Sequence, residues 1–426
     1  MVVLGAIYCV NFIDRTIVSV LGEAIRRDLG LSDLQLGLLG GLVFSFFYGV
    51  VGIPLARLAE RVNRVGLIAA VTALWSTMTM LSGAAGSFAQ LLLCRMGVGV
   101  GEAGFTPALL SMIADRFEPE RRAAVFSVIA AGVPLGGALA AVAGGLVAAT
   151  LGWRLAFVAV GAPGLVLALV LLATVREPER RGAVGEAPPP LGATLRHLAC
   201  SRAFVLLTVG SGLVALVGFG LNLFLIPLLV RRFGMDLGQA GLSFALSFSL
   251  ATGAGGIGGG LLMGRLARRD ARWGGWAPAA LLAAGIPLYL GALTRDDPRA
   301  ALAMLFPATV CLYAFLPAVM TVTQSLVQPR MRATAAAVHA FGQTVVGLGV
   351  GSVLLGYLSD RLAGAAYAGD YADRCLRGAG AASPDCVEAS ALGLQHAMML
   401  LSGFLLIAVV SFALAGSALP REARST

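Results

Sequence analysis

The sequence predicts an all-α polytopic membrane protein of twelve transmembrane helices in two six-helix halves. Three observations carry the prediction. Of its 426 residues 58% are hydrophobic and only 12% charged, which is more apolar surface than a water-soluble domain can hide. Apolar runs of about 18 residues or more recur twelve times between clusters of charge, Gly and Pro. The two halves also repeat each other. At an offset of 208 residues, A-R-L-A-E-R-V-N-R from Ala56 aligns with G-R-L-A-R-R-D-A-R from Gly264, with Arg57, Leu58, Ala59, Arg61 and Arg64 each meeting an identical residue. The same offset pairs Arg122 with Arg330 and sets Asn222 opposite Asp14.

In chain order the spans lie near 2-22, 36-57, 65-85, 88-113, 122-148, 153-175, 203-230, 239-264, 277-294, 300-325, 332-358 and 391-417. The first opens at once on Met1 and is interrupted by Asn11, Asp14 and Arg15; it reads as a span with a short or missing preceding tail, without a cleavable signal pattern. The fifth carries G-V-P-L-G-G from Gly132 and the eighth G-A-G-G-I-G-G-G from Gly253, small-residue runs that let helices pack closely or bend. A segment with R-E-P-E-R-R and a triple proline at 188-190 separates spans six and seven. The domains expected are therefore a six-helix half over 1-176, a linker over 177-202 and a second half over 203-426.

The sequence contains no Lys, and its 31 arginines set a formal charge of +9. Loops after even-numbered spans plus the C-terminal tail hold 19 of them and loops after odd-numbered spans 9, so both termini and the linker are expected on the cytoplasmic side. That charge is a topology signal and not a nucleic-acid footprint. Without lysine a G-x-x-x-x-G-K-[ST] nucleotide loop is impossible. His197, His339 and His396 fall in separate segments with no metal-ligand spacing, so no cofactor, no metal and no enzymatic chemistry are expected.

Ionisable residues inside spans are costly, on the order of 3 kcal/mol each on insertion scales, and so nominate a functional site. Span four holds R-M-G-V-G-V-G-E from Arg95 to Glu102. Its three alternate glycines imply close backbone approach, and its two charges share a helical face about 10 Å apart. With Asp14 they make the candidate charged centre. One alternative is that Arg95 and Glu102 only neutralise each other; another is a permanently ionised anion site in which Arg95 grips a phosphate. A second cluster, Glu60, Arg61, Arg64, Asp115, Arg121 and Arg122, sits at cytoplasmic loop ends and is the candidate gate, with a solvated basic rim as the plain alternative. The second half offers Phe219, Asn222, Tyr313, Gln324 and His339 as substrate-lining candidates, a weakly polar, aromatic set suited to an amphipathic ligand. Cys375 and Cys386, with ten residues between them in one polar loop, are expected to form a disulfide if that loop faces an oxidising compartment.

Two parallel six-span repeats are the architecture of major facilitator transporters, with the site between them. The detail resembles one family. N-F-I-D-R-T-I-V in span one, L-C-R-M-G-V-G-V-G-E-A in span four, A-D-R-F-E-P-E-R-R at its end and G-W-R-L-A-F opening span six resemble the spinster family, and the Arg- and Ala-rich composition is that of a bacterial homologue. The resemblance covers nearly the whole chain. It implies a multi-pass inner-membrane transporter moving a lysophospholipid- or sphingolipid-phosphate-like anion by alternating access, with Asp14, Arg95 and Glu102 as a proton-linked cluster that also binds substrate. The sequence departs from the family in two places: A-R-L-A-E-R-V-N-R stands where G-Y-L-G-D-R-Y-N-R is usual, keeping an acid at Glu60, and Gly342-Gln343 stands where Gly-Asp is usual, removing a carboxylate from span eleven. Rival readings are a drug or organic-cation antiporter, a proton-independent facilitator, and a membrane enzyme on lipid head groups. Expected partners are the substrate, protons and the bilayer, with no nucleic acid, and a monomer.

Overall fold

The computed structural model describes residues 1–426 except 60, 119–120, 122–124, 126–127, 179–190, 267–268, 329–330, 377–382 and 423–426. Twelve helices are long and apolar enough to cross a membrane: α1 Val2–Leu29, α2 Asp33–Ala59, α3 Arg64–Ser82, α4 Phe88–Arg116, α5 Val128–Leu151, α6 Trp153–Thr174, α7 Arg202–Phe233, α8 Leu237–Leu266, α9 Trp273–Thr294, α10 Pro298–Ser325, α11 Thr334–Ala366 and α12 Pro384–Leu419. Among the described residues there is no β-strand.

The helices run further than the apolar runs. Hydropathy ends span one near residue 22, yet α1 continues through Glu23, Arg26 and Arg27 until Gly30, whose left-handed backbone (φ 62°) closes it. Those charges continue the helix because they are paired, as described below. Local chemistry starts the next elements. Ser32 and Gln35 form a reciprocal capping box ahead of α2, the Asn63 side chain accepts from the Gly66 N–H at α3, and Asp236 accepts from the Gln239 N–H at α8.

The alternate glycines of α4 do what their spacing implies. A Cβ at Gly99 would lie 2.9 Å from the Phe44 carbonyl of α2, and one at Gly101 would lie 2.9 Å from the Trp75 backbone nitrogen of α3. Glycine thus seats α4 tightly between its two neighbours, which fixes where Arg95 and Glu102 point.

The repeat is visible in the backbone. Short stretches of π-helical turn interrupt α2 at Leu38–Leu42, α5 at Ala140–Gly144, α8 at Ala245–Ser249 and α11, over nine residues, at Gln343–Gly351. Shifted by 208 residues, the first falls on 246–250 and the second on 348–352, overlapping the other two. Such turns are rare and concentrate at functional positions.

The described residues pack as two compact units, one of 1–184, 222–245 and 352–394 and the other of 185–221, 246–351 and 395–426. In the first, α3 lies along α6, α4 between α2 and α3, and α1 along α5 and α6, while α2 meets the later part of α11 and α5 meets the start of α8. Gly145 gives α8 that approach, since a Cβ there would come 2.7 Å from the Leu237 carbonyl. In the second unit α10 packs on α8 and α9.

Candidate functional site

The site is built first from α1 and α4. Asp14, Arg95 and Glu102 are all buried, at 0%, 2% and 1% exposure. Each of the three acts electrostatically on the other two. A fourth charge, passed over in the sequence as an interruption of span one, completes the group. Arg15 Nε donates to Glu102 Oε2 at 2.6 Å, with the arginine side chain 26% exposed and the glutamate fully covered. The charged partner of Glu102 is therefore Arg15, where the sequence reading had only Arg95 available. The guanidinium of Arg15 is walled by three rings, with its Cζ 5.2 Å from the Phe12 centroid, 5.2 Å from Phe44 and 4.8 Å from Tyr48; Arg95 faces the same Phe44 at 5.4 Å.

This centre is incompletely satisfied. Both carboxylate oxygens of Asp14, Oε1 of Glu102, and Nε and Nη1 of Arg95 are buried with no hydrogen bond of good geometry, although the Thr79 hydroxyl lies close to Asp14 and the Asn11 amide close to Glu102. Two acids and two arginines neutralise one another in sum, but several of their polar atoms are unmatched, and in a low-dielectric site such a network is poised to exchange partners.

A second network lies where α1 ends and α2 begins. Arg231 of α7, its side chain 1% exposed, donates to Glu23 at 2.7 Å, to Asp33 at 2.6 and 2.7 Å, and to Ser390 at 3.0 Å. Glu23 also accepts from Arg26 at 3.3 Å and Arg27 at 2.9 Å. Ser359 donates to Asp33 at 2.6 Å, and Asp360 accepts the backbone N–H groups of Asp33 and Leu34 at 3.0 and 2.8 Å. Five helices, α1, α2, α7, α11 and α12, meet in one buried ionic cluster. The sequence reading had counted Glu23's neighbours and Arg231 as loop charges. A signal was nevertheless present, because Glu23 and Arg231 stand 208 residues apart and so occupy equivalent positions of the repeat with opposite charge.

At the other end of α2, Arg64 is 1% exposed and bonded to Asp115, to Glu177 Oε1 at 2.6 Å, to Ser111 at 2.9 Å and to the Pro178 carbonyl at 3.1 Å, while the second Glu177 oxygen accepts the Val65 N–H at 3.0 Å. These bonds brace α3, α4 and the segment after α6 against each other, all within or just after the first six spans. Of the other expected gate residues, Arg61 and Arg121 are exposed. Glu60 and Arg122 lie outside the described residues. Glu177 was not singled out from the sequence.

The remaining candidates are spread between the units. Asn222 accepts from the Ser19 hydroxyl at 3.3 Å in the first unit. In the second, Phe219 is 36% exposed, Tyr313 meets Phe248 edge-on at 5.7 Å, and Gln324 is exposed at the last turn of α10. His339 is fully buried, with Nδ1 3.2 Å from the Thr208 hydroxyl and Nε2 unpartnered. Cys375 and Cys386 are joined, their Cα atoms 5.5 Å apart. Among the described residues no three His, Cys, Asp or Glu side chains are grouped to hold a metal ion.

Twelve apolar helices among the described residues, in two sequence repeats and with a buried charge group in the first, define a polytopic membrane protein of the transporter class. The chain belongs to the major facilitator superfamily, whose family profile matches residues 4–352. Within that superfamily it is a bacterial member of the spinster group. It is 37% identical over 367 residues to an MFS-type efflux pump of Mycolicibacterium smegmatis, covering 84% of both chains, and 31% identical over 386 residues to protein spinster homolog 1 of Rattus norvegicus, covering 85% of this chain and 72% of that one. A crystal structure of a bacterial homologue of the human lysosomal transporter Spinster, in an inward-facing and unoccupied conformation, superposes with a TM-score of 0.88 at 32% identity, covering 99% of this chain and 97% of that one. The nucleoside transporter NupG, at 12% identity and a TM-score of 0.72, shares the fold.

Proposed function

We propose that this transporter is a secondary active carrier of an amphipathic, lipid-like anion of the lysophospholipid or sphingolipid-phosphate type, working by alternating access and linked to protons through Asp14, Arg15, Arg95 and Glu102. The observation that carries this reading is the bond from Arg15, the one partly exposed member of the centre, to a fully covered Glu102. An anionic head group that engages the guanidinium of Arg15 competes with Glu102 for it. A carboxylate that loses its guanidinium partner holds a proton more tightly, so anion binding and proton uptake favour each other and the two move in the same direction. A ligand cation would instead compete with the proton for the same acids and produce exchange. The rings of Phe12, Phe44 and Tyr48 around Arg15 suit the apolar part of such a ligand.

The two networks at opposite ends of α2 are the gates in this reading. The Glu23, Asp33 and Arg231 cluster holds the outer side closed, and Arg61, Arg64, Asp115 and Arg121 belong to the cytoplasmic gate, with Asn222, Phe219, Tyr313, Gln324 and His339 on the side of the second half. The protein sits in the bacterial inner membrane as a monomer with both termini cytoplasmic, the side favoured by its arginines, and the Cys375–Cys386 loop faces outward.

Reconstituted vesicles test the proposal. Uptake of a lysophospholipid, a single-chain alkyl phosphate and a lipophilic cationic dye is measured with a pH gradient of either sign. Movement of the anions that is accelerated by a gradient driving protons the same way, and uncoupled by Glu102→Gln, is the expected result. The efflux-pump relative favours outward movement, and the buried acids Asp14 and Glu102 would allow a second reading, export of an organic cation. Dye movement accelerated by a gradient driving protons the opposite way, with no anion transport, would establish that reading in place of the first.

A further inference from the structure

The start of α7 carries a feature that transport through the centre does not use. The helix Leu191–Cys200 precedes α7 and buries Thr194 and Leu198, at 2% exposure each, against α11. Between this helix, α7 and α11 lies an open groove of about 380 Å³ whose walls are Leu195, Leu198, Phe204, Val205, Val209 and Val338. Leu195, Val205 and Val209 remain 42%, 40% and 48% exposed, so the groove is a continuous apolar strip. Arg196, Arg202 and Arg332, all exposed, stand at the same end of these helices. No Asp or Glu occurs between Glu186 and Asp236 or between Asp297 and Asp360, so those stretches supply no acid to balance them. An ion-pair latch needs acids, and the opposite half supplies them at Asp115 and Glu177 beside Arg64.

We propose that this groove is a binding site for an anionic phospholipid of the surrounding leaflet, with one acyl chain in the apolar slot and the phosphate between Arg196 and Arg202. A slot open to hydrocarbon is filled by lipid chains without cost, and arginine at the membrane surface attracts an anionic head group by about 1 kcal/mol each, which converts to about fivefold in affinity. The occupant is a bilayer lipid and not the transported molecule, because the groove opens at the protein surface through the exposed Leu195, Val205 and Val209 and is lined on its other side by Thr208, which is bonded to the buried His339.

Native mass spectrometry of the purified transporter in detergent, titrated with phosphatidylglycerol and with phosphatidylcholine, decides it independently of substrate. The wild type is expected to prefer phosphatidylglycerol by about 30-fold. Arg196→Gln, on an exposed helix surface, lowers that preference about fivefold. Arg196→Gln with Arg202→Gln brings the two lipids to parity. Val205→Trp, which fills the slot, weakens both. A phosphatidylglycerol preference that survives the double substitution, or lipid binding indifferent to Val205→Trp, overturns the proposal. Labelling of Cys200, exposed at the end of the same helix, is slowed by phosphatidylglycerol in the wild type and not in the double variant.

Discussion

The central charge group and the Arg231 network are built of the same materials and are opposite in kind. Both are buried, and both pair arginine with carboxylates across helices. In the Arg231 network each acid is bonded at least twice, and the arginine spends Nε, Nη1 and Nη2 on Glu23, Asp33 and Ser390. In the central group, among the described residues, one ion pair is formed, and five polar atoms of Asp14, Glu102 and Arg95 make no hydrogen bond of good geometry, with only Thr79 and Asn11 close by. A saturated network holds a conformation, because any movement breaks bonds that nothing replaces. An unsaturated one changes partners at little cost. The difference separates a network built to hold from one free to rearrange, which is the property the proposed coupling to ligand and proton needs.

The largest effect is expected where the saturated network loses its common donor. Arg231→Gln leaves Glu23 and Asp33 buried beside each other, a change that typically costs about 3–5 kcal/mol. Thermal unfolding in detergent should fall by several degrees, and a cysteine introduced at Ser359 should become reactive toward a water-soluble thiol reagent. If both measures stay at wild-type values, the network is not a clamp. Exchanging the pair, Glu23→Arg with Arg231→Glu, should not rescue the loss even though the positions are equivalent in the repeat. The new arginine would face Arg26 and Arg27, and the new glutamate would face Asp33.

Next in size is the loop beyond α11. Closing a loop between positions 11 residues apart stabilises by about 3 kcal/mol in the chain-entropy model. Cys375→Ser should therefore lower resistance of this region to proteolysis while leaving transport in place. Wild-type proteolysis under both reducing and oxidising conditions would show that the bridge contributes nothing there.

Glu102→Gln sharpens the comparison from the other side. Its stability cost should stay within about 1 kcal/mol, because Oε1 makes no hydrogen bond of good geometry and the amide oxygen of glutamine can still accept from the quarter-exposed Arg15. The same substitution should abolish the response to a pH gradient. A loss of stability as large as that of Arg231→Gln would mean that the two regions do not differ as argued.

How far the sequence disclosed these regions follows from the physics of each. The twelve spans were legible because a bilayer accepts only long apolar helices, and the glycine seam was legible because alternate glycines have few other uses in a helix. The bond from Arg15 to Glu102 was not. Asp14 and Arg15 are neighbours in sequence, and consecutive residues on a helix point about 100° apart, so which of them meets α4 is decided by how α1 is rotated against it. Glu23, Asp33 and Asp360 fell at span edges, where hydropathy assigns charges to loops. The 208-residue offset linking Glu23 to Arg231 marked that pair, and nothing in the sequence marked Asp33 or Asp360.

The smallest effect is expected at a pair that looks like the others on paper. Arg154 donates to Asp28 at 2.5 Å and stacks on Trp153 at 4.2 Å, joining α1 to α6. Its partners are 46% and 44% exposed, so water and salt screen the attraction, and pairs of this kind contribute about 0–1 kcal/mol. Asp28→Asn should leave unfolding and transport within error of wild type, and any difference should vanish in high salt. A salt-insensitive loss comparable to that of Arg231→Gln would place Asp28 inside the clamp. It would also shift the dividing line from burial and saturation to position along α1, with every charge past Glu23 belonging to one holding structure.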